Sequence, residues 1–139
     1  MKKIITFLAV IILIAAITSA FADVGYIASG GGGYINVFRS SDWSQVATIP
    51  TGAGVDGVSF APNGDLYCSG HWSNNVYKAA YLGNGTWEAT AALYASIPDT
   101  HGTQTYNYAF VVAAKDDGTV FVGSYDTGIY KIAPDKTVT

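Results

Sequence analysis

Gly57 to Ala80 reads GVSFAPNGDLYCSGHWSNNVYKAA. Apolar residues dominate Val58 to Ala61 and again Asp65 to Ser69, with Pro62-Asn63-Gly64 between the two runs. Proline presets φ and glycine accepts a positive φ, so the tripeptide is a turn joining two strands. A short polar connection follows, and Asn75 to Ala79 supplies a third strand. The stretch is a strand–turn–strand–strand unit, and the rest of the chain repeats it.

Downstream, Asn63-Gly64-Asp65-Leu66-Tyr67-Cys68-Ser69-Gly70 matches Asp117-Gly118-Thr119-Val120-Phe121-Val122-Gly123-Ser124 at an offset of 54. Val76-Tyr77-Lys78-Ala79 matches Ile129-Tyr130-Lys131-Ile132 at 53. Upstream, Ala28-Ser29-Gly30 matches Cys68-Ser69-Gly70 at 40, and Asn36-Val37-Phe38-Arg39 matches Asn75-Val76-Tyr77-Lys78 at 39. An aliphatic–aromatic–basic trio therefore recurs three times. In a strand its first and third members share one face and the aromatic points to the other. The aromatic is expected to fill space between units, and the basic residue to snorkel at an edge.

Further strands are expected at Val24 to Ser29, Tyr34 to Arg39, Gln45 to Ile49, Tyr108 to Ala114, Thr119 to Gly123 and Gly128 to Ile132. A hairpin is expected over Lys78–Leu82 and Thr86–Thr90, around Gly83-Asn84-Gly85. After Asp23 no helical period of useful length appears. Units of roughly 40–50 residues with three or four short strands are the signature of β-propeller blades. One blade exposes two apolar faces, and stacking against neighbours covers both. The fold class is all-β: an incomplete β-propeller of antiparallel three- to four-stranded blades. At these periods the chain supplies between two and three blades, against the 4–8 of a closed ring. Lys136 to Thr139 reads as the start of a further strand, so truncation at the C-terminus is expected.

The first residues address the compartment. Met1-Lys2-Lys3 is basic, Ile4 to Ile17 is apolar except for Thr6, and alanines stand at −3 and −1 of a cut before Asp23. This pattern is a secretory signal peptide, a helix covering 1–22, with the blades covering 23–139. Small residues at its end and the lack of a basic flank favour cleavage over a membrane anchor, leaving no membrane attachment. Cleavage of 22 of the 139 residues leaves 117, and removes two of the seven basic residues. Five basic residues then face ten acidic ones, a net charge of −5. Such a chain lacks the clustered Lys and Arg that nucleic acid requires. The single cysteine, Cys68, rules out an intramolecular disulfide and sits in an apolar strand as a buried thiol.

GVSFAPNGDLYCSG…NNVYKA and the looser VVAAKDDGTVFVGSYDTGIYKI resemble the blades of YVTN/NHL/lactonase-type propellers. The opening GYIASGGGGYINVFRSSDWSQVATIPTG is similar to the YVTN variant, which closes on an "ATIP-x-G" phrase. The resemblance covers nearly all of the chain after residue 22. It implies architecture rather than activity, since such propellers host unrelated functions.

A propeller binds ligands where inter-blade loops converge on the channel. His71 and Trp72 lie in one such connection, His101 in another, and Tyr125-Asp126 occupies the place equivalent to His71-Trp72. An aromatic beside a polar group suits stacking on a sugar or holding a peptide. The simpler account is that Trp72 and Tyr125 cover strand ends. No metal motif, nucleophile elbow or cofactor cradle is present, so no metal, cofactor or catalytic residue is expected. Gly30 to Gly33 is expected to be a hairpin tip. Asn84-Gly85-Thr86 is an N-glycosylation sequon, relevant if the host glycosylates.

The chain thus reads as a secreted or cell-surface module (periplasmic in a Gram-negative host). It would bind protein, peptide or carbohydrate without catalysis, with open blade faces driving self-association. The alternatives are a lactonase- or lyase-type enzyme fragment with a metal at the channel mouth, and a surface-layer or adhesin module.

Overall fold

The computed structural model describes residues 25–71, 73–98, 109–124 and 128–139. The expected signal peptide lies outside them. Among the described residues twelve strands form: β1 (Tyr26–Gly31), β2 (Tyr34–Arg39), β3 (Gln45–Pro50), β4 (Val55–Phe60), β5 (Leu66–Gly70), β6 (Asn75–Ala79), β7 (Tyr81–Gly83), β8 (Thr86–Trp87), β9 (Ala92–Ser96), β10 (Ala109–Ala114), β11 (Val120–Ser124) and β12 (Gly128–Ile132). They pair as β1-β2-β3, β4-β5-β6-β9, β10-β11-β12 and the small hairpin β7-β8, every pair antiparallel. The first three sheets are blades 1, 2 and 3.

The blades stack through two separate cores. Ile35, Val37 and Ile49 of blade 1 meet Val55, Leu66, Cys68 and Ala79 of blade 2. Tyr67, Val76 and Ile97 of blade 2 meet Ala109, Val112, Val120, Val122 and Ile132 of blade 3. Blade 2 is therefore covered on both faces, which is why all five residues of β5 are buried. A fully buried Val or Leu side chain contributes about 1.5–3 kcal/mol. These joints, rather than any single sheet, hold the chain together.

Contacts between strands establish which positions correspond. The first strand of blade 3, β10, packs against β4 and β5 of blade 2. In turn β4 packs against β1. Hence β1 corresponds to β5, and β2-β3 to β6-β9; among the described residues no strand stands inside β1. In blade 3, Val138 bridges to Ile132, and the backbone of Lys131 exchanges hydrogen bonds with that of Thr139. The fourth-strand place of blade 3 is thus occupied at 137–139, in line with the strand start read at Lys136 to Thr139.

Pairing also corrects the repeat alignment. Val37 pairs with Ala28, whereas Val76 pairs with Ser69. Ala28 therefore corresponds to Ser69 at an offset of 41, not to Cys68 at 40. The shared Ser-Gly letters are misleading here, because a one-residue slip turns every side chain to the opposite face. The recurring trio behaves as expected in blade 2, whereas in blade 3 its aliphatic member, Ile129, is 77 % exposed. Val37 and Val76 are buried, Tyr77 and Tyr130 pack at the edges of the two cores, and Lys78 stays half-buried.

Two expectations about the middle of the chain change. The expected strand over Lys78–Leu82 divides, with β6 ending at Ala79 and β7 starting at Tyr81, and its partner shrinks to Thr86–Trp87. The unexpected β9 then completes blade 2. The β7-β8 hairpin is an insertion that plugs one end of the blade 1–blade 2 core. Its Trp87 lies edge-on to Tyr26 at 5.2 Å, contacts Tyr81 and Phe60, and donates Nε1–H to the Gly64 carbonyl at 2.8 Å.

One turn design serves four hairpins. The side chains of Asp42, Asn63, Asp117 and Asp135 each accept a hydrogen bond from the backbone N–H two residues on, at 2.9–3.1 Å. The residue between has positive φ: Trp43 at 60°, Gly64 at 91°, Gly118 at 80° and Lys136 at 69°. Hydrogen bonds from the Ser44 hydroxyl and then its N–H hold the Asp42 carboxyl below the usual range, and the backbone N–H groups of Thr119 and Thr137 do the same for Asp117 and Asp135. Gly30 and Gly31 belong to β1, and only Gly32 and Gly33 form the expected hairpin tip.

Candidate functional site

Antiparallel connection puts every other link at the same end of the blades. The β3–β4, β5–β6, β9–β10 and β11–β12 links share one end, and the four side-chain-braced turns share the other. Of the candidates from the ligand-rim reading, His71 falls in a link of the first kind. His71 is described; Trp72, His101, Tyr125 and Asp126 lie outside the described residues. The β5–β6 and β11–β12 links do join equivalent strand pairs.

His71 has a neighbour that the sequence did not disclose. Its Nδ1 lies 2.6 Å from Oδ1 of Asp56, with the His71 side chain 47 % exposed and that of Asp56 17 % exposed. Asp56 stands in β4, the innermost strand of blade 2, so the pair bridges the inner strand and the rim. The carboxylate fixes the imidazole's orientation from Nδ1. The only sequence signal was a carboxylate inside an otherwise apolar inner strand, Val55-Asp56-Gly57-Val58.

The link carrying His71 is fastened on three sides. The His71 N–H donates to the Gly54 carbonyl at 2.6 Å, tying it to the β3–β4 link. The Ser73 carbonyl accepts from Ala109 N–H at 3.0 Å, tying it to blade 3. Asn74 exchanges hydrogen bonds with the backbone of Ile97, accepting at its carbonyl and donating from Nδ2, both at 2.8 Å. Gly54 is required for this closeness, because a Cβ there would stand 2.7 Å from that of His71. These ties fix the backbone of the described part of the link against its neighbours.

Among the described residues, no group of three His, Cys, Asp or Glu stands close enough to hold a metal ion. None of their helices is long and apolar enough to cross a membrane. Cys68 is buried, and burial pushes its thiol up to about 12, so it is no nucleophile at neutral pH. Asn84 sits exposed at φ 53° in the β7-β8 turn, at the opposite end of the blades from His71.

No family model matches the chain, and no curated protein does. Among solved structures, it is similar to one chain of "Crystal Structure of Mitotic Checkpoint Complex", with 18 % identity and a TM-score of 0.55. The match covers 80 % of this chain and 34 % of that one, so this chain spans about a third of that neighbour's length. The neighbour is a propeller protein. The likeness is one of fold: this chain is all-β, with antiparallel propeller blades.

Proposed function

We propose that the chain is a secreted or cell-surface propeller of the YVTN/NHL/lactonase kind, binding a protein or peptide without catalysis. The observation that carries this reading is the fastened rim, where the Asp56–His71 pair meets solvent at the blade end bearing the inter-blade links. A held imidazole beside a carboxylate offers a donor and an acceptor to a peptide backbone. Trp72 and Tyr125, the aromatics singled out in the sequence, would add stacking area. The solved neighbour belongs to a complex, which is in keeping with a binding role. The basic, apolar and A-x-A pattern at 1–22 supports export.

Selection of binders from a displayed random-peptide library, alongside a glycan array, tests the reading. Peptides enriched on the protein should lose at least about tenfold in affinity with Asp56→Ala or Trp72→Ala, roughly 1.4 kcal/mol. Asn84→Gln, at the other end, should leave them unchanged. Peptides indifferent to both rim substitutions, or binding to glycans alone, would sink it. Export is checked separately by mass spectrometry of the released protein, which should begin at Asp23.

A further inference from the structure

The three blades carry the same two faces, and among the described residues two of the resulting surfaces, one on blade 1 and one on blade 3, lie open. The face that each blade turns to its successor bears an aromatic–basic cross-strand pair: Tyr26 with Arg39, Tyr67 with Lys78, Phe121 with Lys131. Two positions along β1, β5 and β11 stands a small residue, Ala28, Ser69 or Gly123, opposite an aliphatic one, Val37, Val76 or Ile129. In blades 1 and 2 this aliphatic is fully buried by the next blade, whereas Ile129 is 77 % exposed. Phe121 and Val111 lie open beside it.

The small residue is where the next blade's first strand crosses. Ser69 Oγ accepts from Gly57 N–H at 2.8 Å and donates to the Phe110 carbonyl of blade 3 at 3.1 Å. Gly123 provides the same clearance with no strand against it among the described residues.

The face turned to the preceding blade has its own signature. Ile27 pairs with Phe38, Cys68 with Tyr77, and Val122 with Tyr130. Cys68 and Val122 are buried in the two internal joints, but Ile27, on blade 1, is 39 % exposed. A second likeness strengthens the correspondence. Asn36 accepts from Thr48 Oγ1 at 3.1 Å, as Asn75 accepts from Ser96 Oγ at 2.6 Å.

We propose that blade 3 docks onto blade 1 of a second copy, head to tail, through the faces centred on Ile129 and Ile27. The chain carries on these two surfaces the sheet faces of a joint that it already makes twice internally, while the first strand that crosses that joint in blades 2 and 3 has no counterpart in blade 1 among the described residues. A second copy is therefore the occupant whose chemistry the structure itself specifies. Such a contact is heterologous: it closes a ring if the rotation fits and extends otherwise. The inference concerns the blade faces alone and does not depend on the rim reading.

The test is a complementation of two exposed-face variants, Ile27→Asp and Ile129→Asp. Masses are measured by light scattering on the protein as cells produce it, in detergent-free buffer. The wild type should run at twice the chain mass or a higher multiple, and each variant alone at the mass of one chain. Mixing the variants should restore a species of two chains, because one intact joint remains. Recovery on mixing also shows that both variants fold. A monomeric wild type overturns the proposal, as would be seen if a blade from another polypeptide covered these faces. Ile27→Asp remaining associated overturns it in favour of like-to-like contact, and failure of the mixture to associate overturns it as well.

Discussion

Val76 in blade 2 and Ile129 in blade 3 occupy the same position of the same repeat, yet the first is buried and the second is among the most exposed apolar residues of the chain. Their surroundings within each sheet match: an aromatic–basic pair on one side, a small residue opposite. What differs is the next blade. Burial in this fold is conferred by a neighbouring sheet, so the local pattern records an expectation of coverage rather than coverage itself. The energetic weight of a position then depends on what stands beyond it.

Substitutions at these paired positions break or sharpen the contrast. Val76→Asp buries an unpaired carboxylate between blades 2 and 3 and should cost about 4 kcal/mol or more. Ile129→Asp should stay within about 0.5 kcal/mol in the dissociated chain. Urea denaturation at low protein concentration separates them, and equal losses would mean that the two faces are equally covered. Next in size is Gly57→Ala, whose new Cβ would stand 2.8 Å from the Phe110 carbonyl oxygen and 3.2 Å from Val111 Cα. Prising blade 3 from blade 2 in this way should cost about 1–3 kcal/mol. Gly123→Ala meets only ordinary contacts with Val111, the nearest at 3.6 Å, and should be nearly neutral.

The basic residues extend the comparison to pH. Lys78 Nζ lies 2.7 Å from Asp65 and 5.5 Å from the centre of the Tyr67 ring, while blade 3 has Thr119 where blade 2 has Asp65. Burial alone would raise Asp65, but hydrogen bonds from Lys78, Tyr81 N–H and Asn63 hold it below its ordinary 3.8. Its stabilisation is whole above 3.8 and is lost as pH falls through the depressed folded value. Burial alone would lower Lys78, yet Asp65 and Tyr67 hold it above its ordinary 10.5. That contribution is whole below 10.5 and fades as pH rises through the raised folded value. Asp65→Asn should cost about 1–2 kcal/mol at neutral pH and flatten the acid side of the stability profile. A profile unchanged in shape would show that the carboxylate is not coupled to folding.

The smallest effect is at the turns. Trp43 takes the left-handed place that Gly64 and Gly118 fill without strain, and its side chain is 67 % exposed. Trp43→Gly should gain up to about 1 kcal/mol, read as a higher urea midpoint. A loss instead would reveal packing by the indole that offsets its backbone strain.

Much of the fold was legible because its signals are local. Alternation and turn residues gave β2 and β12 their ends and made the three-fold trio visible. The strand β9 was not legible, since Ala92-Leu93-Tyr94-Ala95-Ser96 becomes a strand only by pairing along β6 after an intervening hairpin. The turns at Asp42 and Asp135 escaped notice because neither has a glycine; there the backbone imposes the left-handed place on Trp43 and Lys136. The one-residue error between blades 1 and 2 came from matching letters where the faces decide. Of the rim, the position of His71 could be read from the sequence, but its bond to Asp56 could not. That contact joins residues fifteen apart across the β4–β5 hairpin, and no spacing rule predicts it.

Cys68 has a consequence outside folding and binding. It is the only sulfhydryl in the chain, sealed between blades 1 and 2 and protonated at neutral pH. A thiol-labelling reagent can reach it only when those blades part. The labelling rate is therefore a built-in clock for the opening of one chosen joint, readable without introducing a probe.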